Sequence, residues 1–166
     1  MNGSNNFVLR TEKVTKDLKV GEVTVQALRG VTLTVQRGEM LGIIGPSGCG
    51  KSTLLGIIGG LDSPTSGQVF IDGVDITNLG ERDLTRIRNE KIGFVFQGYS
   101  LFEWLTVEGN IRFALEKSQL SKAEKAELVR HYVQAVGLLG FETAFPRQLS
   151  GGMRQRVAIA RALVYR

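Results

Sequence analysis

Hydrophobic and polar positions alternate through the first third of the chain. Phe7 to Val14 carries alternating apolar positions and predicts the start of a sheet. Val23–Leu28 and Val31–Val35 are β-branched and alternating, which predicts two strands with Arg29-Gly30 as the turn between them. Arg37-Gly38-Glu39 predicts another turn, leading into Met40-Leu41-Gly42-Ile43-Ile44, an unbroken apolar run expected as a buried strand. Thr53–Ile58 predicts a helix. The stretch 62–67 is dense in turn residues and precedes a short strand over 68–73. Glu81–Glu90 predicts a charged helix with Leu84 and Ile87 at i, i+3, and Ile92–Phe96 a second buried strand whose end Gln97 leaves. Thr106–Leu115 predicts a helix. Ser121-Lys122-Ala123-Glu124 has the capping-box spacing and opens another, with Leu128, Val129, Tyr132, Val133 and Val136 on one core-packing stripe and a stop near Gly137. Ser150 is placed to cap a last helix that runs through Leu163. This order predicts an antiparallel β layer followed by a mixed α/β core.

The bulk numbers fit one soluble globular domain: 166 residues, 42% hydrophobic and 22% charged. No apolar run reaches the ~20 residues that span a bilayer. The first six residues lack the basic and apolar segments of a secretory signal. The single cysteine, Cys49, excludes an intrachain disulfide framework and suits a reducing cytosol. The net charge of +5 agrees with phosphate binding, and equally with nucleic acid or an anionic membrane surface. His131, the only histidine, is expected on the surface.

The run Gly45-Pro46-Ser47-Gly48-Cys49-Gly50-Lys51-Ser52 changes the picture. It fits G-x-x-x-x-G-K-[ST] at every fixed position, between a predicted strand and a predicted helix. Glycines at 45, 48 and 50 allow a tight turn and close approach to a ligand. Backbone N–H groups then converge on phosphate oxygens at a helix N-terminus. Lys51 is placed to reach the β- and γ-phosphates, and the Ser52 hydroxyl to ligate Mg²⁺. The plainer alternative is a glycine-rich turn before a core helix. A second anion-ready helix N-terminus follows Leu149-Ser150-Gly151-Gly152-Met153, where two glycines clear space for close approach. Its plainer alternative is a capped helix with solvated arginines.

The phosphate loop at 45–52, Gln97 after a buried strand, and Leu149–Met153 followed by Arg154-Gln155-Arg156 stand in one order. Together they resemble the nucleotide-binding domain of ATP-binding cassette (ABC) proteins, over almost the whole chain. The resemblance implies a P-loop NTPase core with an N-terminal antiparallel β layer and a helical signature subdomain. It divides the chain into 1–96, the β layer and loop core, and 97–166, the segment with Gln97, the helices and the signature. It implies ATP and Mg²⁺ as cofactors. Gly45 to Ser52 with Thr53 would bind the phosphates, and Gln97 would meet Mg²⁺ or the attacking water. Leu149, Ser150, Gly151, Gly152 and Met153 would complete the site of a second ATPase subunit, head to tail. A transmembrane permease is the other implied partner, at the inner face of the cell membrane; no nucleic acid is expected.

Two departures from the family carry expectations. Leu18 stands where an aromatic residue usually stacks on adenine. The sequence stops at Arg166, before the strand, carboxylates and switch histidine that follow in the family. The expectation is therefore an incomplete core sheet, little or no ATP hydrolysis by the 166 residues alone, and a longer cassette of which they are the front part. Gly59–Gly67 and Lys91–Gln97 resemble lipoprotein-release and macrolide-export ATPases. Trp104–Asn110 and Pro146–Arg156 resemble nitrate, sulfonate and taurine importer ATPases. A catalytically inactive nucleotide-binding fragment and a soluble cassette ATPase acting on nucleic acid are the alternatives.

Overall fold

A computed structural model describes residues 6–165. They form two compact units, the first running to Ile92 and the second starting at Gly93.

The first unit is built on strands β1 (Phe7–Val20), β2 (Val23–Gln36), β3 (Ser66–Ile71) and β4 (Val74–Asp75), with helices α1 (Lys51–Ile58) and α2 (Glu81–Lys91). The sheet is antiparallel, as the alternation predicts, and its strand order is β2-β1-β3-β4. The turn expected at Arg29-Gly30 is not there. β2 runs through it, and the hairpin turn lies at Gly21-Glu22, where Val20 pairs with Val23. Gly30 sits in a bulge instead: Val14 pairs with Val31 and Thr15 with Arg29, leaving Gly30 extra at φ 90°. A bulge needs the same left-handed residue a turn does, so the sequence signal is shared.

Thr11 occupies a second irregularity in this ladder and is fully buried. Its hydroxyl donates to Val31 O at 3.1 Å and accepts from Leu33 N–H at 3.1 Å, satisfying backbone groups of the facing strand. Val14, Leu28, Leu54, Ile57, Val69 and Ile87 form the core of this unit. At the sheet edge, the Asp75 carboxylate accepts from Thr77 Oγ1 at 2.5 Å and Thr77 N–H at 2.9 Å. Thr77 Oγ1 in turn accepts from Val69 N–H at 2.9 Å. Asp72 is held below the usual carboxylate range by Lys91 first and Arg37 second.

The two expected buried strands form no strand. Met40–Ile44 and Ile92–Phe96 are irregular, and Met40 and Ile44 are 97% and 96% exposed. An unbroken apolar run of this kind is stable as a strand only with a hydrogen-bonding neighbour on its edge and packing on both faces. Neither run has a ladder partner among the described residues.

The second unit contains α3 (Val107–Phe113), α4 (Lys122–Ala135), a 3₁₀ turn (Pro146–Gln148) and α5 (Gly151–Leu163). The capping box at Ser121 and Glu124 is formed in both directions. Val129 and Val133 of the α4 stripe are buried against Val107, Ile111, Leu138 and Val157, with Leu128, Tyr132 and Val136 at the rim. α4 ends at the left-handed Gly137, and Arg156 donates to the carbonyls of Val136 and Gly137 at 2.9 and 3.1 Å.

Candidate functional site

The phosphate-loop segment joins the irregular run at 40–44 to α1. Gly50 precedes the first helical turn at φ 93°, and a Cβ there would lie 2.5 Å from the Ala27 carbonyl oxygen in β2. Only glycine permits both that dihedral and that approach. No side chain caps α1. Cys49 N–H makes a long bond of 3.4 Å to Pro46 O, while the amides of Ser47, Gly48 and Gly50 have no intrachain acceptor among the described residues. Unpaired N–H groups on an exposed loop at a helix N-terminus are what an anion requires.

Lys51 folds across this loop. Its ammonium donates to Gly45 O at 2.8 Å and Pro46 O at 2.7 Å, and lies 3.7 Å from Cys49 Sγ. These are neutral acceptors; a phosphate oxygen in the same concavity offers a charge-assisted bond that is stronger. Ser52 is exposed on the first turn of α1, and Thr53 is partly buried beside it. Among the described residues no group of three or more His, Cys, Asp or Glu is placed to hold a metal. A divalent cation here would take most of its oxygen shell from phosphate and water, with the Ser52 hydroxyl as the protein's donor.

Leu18 is 38% exposed in β1, opposite Val25. It is not alone: Val20, Val23 and Val25 are also exposed, so this end of the hairpin offers an apolar surface that the sequence reading narrowed to one residue. Their strict alternation on two paired strands was the available signal.

In the second unit Gln97 is exposed in a turn, followed by Tyr99 and Ser100, both left-handed at φ 60° and 47°. Asn110, a residue to which the sequence reading gave no role of its own, is fully buried on α3. Its side chain accepts from Phe102 N–H at 2.8 Å and donates to Phe102 O, Leu105 O and Thr106 O at 3.0–3.1 Å. It fixes the segment that follows Gln97. An asparagine inside an otherwise apolar helix face was the sign of that role.

Ser150 caps α5, its Oγ accepting from Met153 N–H at 3.3 Å. Gly152 and Ser150 are exposed, Gly151 and Met153 are partly buried, and Leu149 is buried in the core. Leu149 thus anchors the segment from beneath while Ser150-Gly151-Gly152 present backbone and hydroxyl to solvent. The α5 first turn carries no acidic residue, so its dipole end is open to an anion. His131 is exposed with its ring edge-on to Tyr132.

Comparison with known proteins gives concordant results. Residues 28–166 match the ABC transporter family. The chain is 47% identical over 156 residues to methionine import ATP-binding protein MetN 2 of Rhodococcus jostii, covering 94% of this chain and 46% of that protein. It is 43% identical over 161 residues to Fe(3+) ions import ATP-binding protein FbpC 1 of Haemophilus influenzae, covering 97% of this chain and 46% of the relative. Among solved structures, the dimeric post-hydrolysis state of the ATP-binding cassette MJ0796 bound to ADP and Pi superposes with a TM-score of 0.88 at 43% identity, over 95% of this chain and 69% of that one. The chain spans about half the length of these two curated relatives. No described helix is long and apolar enough to cross a membrane.

Proposed function

This chain belongs to the ABC transporter family, and from that premise we propose that it is the ATP-binding part of a transporter's ATPase subunit. The observation that carries the reading is the loop at 45–52, with unpaired amides, a glycine only glycine can replace, and the Lys51 ammonium folded into it. ATP places its β- and γ-phosphates there. Lys51 exchanges its two carbonyl acceptors for phosphate oxygens, and the α1 dipole adds to the attraction. Mg²⁺, when bound, would neutralise phosphate charge, with the Ser52 hydroxyl as one of its ligands. The adenine lies on the apolar hairpin end around Leu18.

In the second unit, the residues to which the reading gives a role are Gln97 and the Ser150-Gly151-Gly152 end of α5. The open α5 N-terminus completes the phosphate site of a second cassette subunit, which excludes water and concentrates positive potential on the γ-phosphate. Dimeric assembly of the MJ0796 cassette supports this arrangement. The import names of the two relatives favour a transporter that moves its cargo inward, with a permease as the membrane partner and this chain on the cytoplasmic face. Cargo choice belongs to the permease.

The test is ATP affinity. Lys51→Ala removes the only side-chain cation in the loop. Isothermal titration of the complete subunit should show affinity falling by tenfold or more; equal affinity in the two proteins sinks the site assignment.

A further inference from the structure

The loop after Gln97 is held in a conformation its own residues disfavour. Tyr99 and Ser100 are consecutive non-glycine residues in the left-handed region, each a costly choice for an L-amino acid. Such a pair persists only where something outside the loop holds it. Arg161, in the last turn of α5, supplies the hold. Its Nη1 donates to Ser100 O at 2.7 Å and its Nη2 to Tyr99 O at 3.3 Å. The same guanidinium lies 5.6 Å from the centroid of the Phe102 ring. A planar fork reaching two successive carbonyls is a task for arginine, not for a point charge.

A second set of contacts ties the loop to the other end of the helix. Arg154 lies over the Tyr99 ring at 5.7 Å. A Cβ on Gly151 would come within 3.3 Å of the Tyr99 hydroxyl, so the phenol rests against the first turn of α5. Residues 154 and 161 are seven apart and share one helix face. The 99–102 loop therefore runs along that face, from the cap region at Ser150–Gly151 to Arg161. Burial pulls the Arg161 pKa below its ordinary value, and the guanidinium remains a cation at neutral pH.

We propose that Arg161 is a positioning residue: by holding the Tyr99 and Ser100 carbonyls it locks the loop behind Gln97 onto the helix headed by Ser150. The glutamine-bearing loop and the signature N-terminus then move as one body. Motion delivered to the loop is passed to the helix end that meets the second subunit's nucleotide, and the reverse. This assignment rests on the cassette reading above for its consequence in turnover, but not for its structural content.

The experiment uses the complete ATPase subunit, as wild type, Arg161→Ala, Arg161→Lys and Arg161→Ala with Ser100→Gly. Amide hydrogen exchange is followed over 97–102 and 151–163, beside steady-state ATP turnover. In Arg161→Ala the loop amides should exchange at least tenfold faster while those of α5 stay within twofold. Turnover should lose about tenfold in kcat with KM for ATP within twofold. Lysine should not restore either readout, because one ammonium cannot hold both carbonyls in that geometry. Ser100→Gly should recover at least threefold in the Arg161→Ala background, since glycine adopts the left-handed conformation unaided and the Ser100 side chain is exposed. Unchanged loop exchange, full rescue by lysine, or equal loosening of loop and helix overturns the proposal. If the wild-type subunit turns over no ATP, the functional reading fails, and the exchange results with the Ser100→Gly rescue still decide the latch.

Discussion

Thr11 shows how one residue ties sequence to structure. A buried hydroxyl on a strand is costly unless paired, and this one is paired twice, to Val31 O and Leu33 N–H across a break in the ladder. Thr11→Val keeps the shape and removes both bonds. It should destabilise the first unit by about 1–3 kcal/mol, the cost of leaving buried backbone groups unsatisfied. Chemical denaturation of the two proteins, with midpoints compared at equal slope, checks this. The phosphate loop was legible at the same scale because its chemistry dictates residue types: glycine where the backbone turns and touches β2, lysine for charge, serine for a hydroxyl. Asn110 was legible only as a polar residue on an apolar helix face, and Arg161 was not legible as a site at all. The partners of Arg161 are main-chain oxygens 61 and 62 residues away in sequence, and a carbonyl leaves no mark in the residue pattern that recruits it.

Among elements, helix ends and alternation carried most of the readable signal. The α4 capping box forms as spelled, with Ser121 N–H donating to Glu124 Oε2 at 2.8 Å and Glu124 N–H donating to Ser121 Oγ at 3.3 Å. Ser121→Ala should cost about 1 kcal/mol of stability in the second unit, read from thermal unfolding followed by helical circular dichroism. The same box gives a pH dependence. The Glu124 pKa lies below its ordinary value, through the Ser121 side chain first and its backbone second. A carboxylate lowered by folding stabilises above the unfolded-state pKa and loses that effect as pH falls through the folded value. The stability difference between wild type and Glu124→Gln should therefore shrink on acidification below about pH 4.5, the ordinary glutamate value. A difference that grows instead would contradict the box as its cause. The bulge at Gly30 marks the limit of this scale, because a left-handed glycine between two alternating runs fits a turn or a bulge equally. Only pairing with β1 selects the bulge.

For the whole molecule, the informative segments are those that periodicity assigned as strands and the structure leaves irregular. Met40, Leu41, Ile44, Val95 and Phe96 are all exposed. Their sequence is that of strands buried on both faces, a pattern readable from composition alone. What no local pattern contains is the neighbour each strand needs. The family match and the fraction of the relatives that this chain spans, 46% for MetN 2 and FbpC 1, give a reason to seek those neighbours elsewhere in a complete subunit. Unpaired apolar segments are templates for association. Expressed by themselves, residues 1–166 should bind a hydrophobic dye and self-associate with rising concentration, as light scattering would register. In the complete subunit the amides of 40–44 and 92–96 should be protected against exchange by a hundredfold or more relative to the isolated stretch. The phosphate loop would gain with them. It hangs directly from residue 44, so fixing that strand fixes the loop's entry and restricts the Lys51 ammonium to the phosphate concavity. ATP affinity and protection of 40–44 should accordingly rise together, and a complete subunit that binds ATP tightly with 40–44 still exchanging freely would separate them.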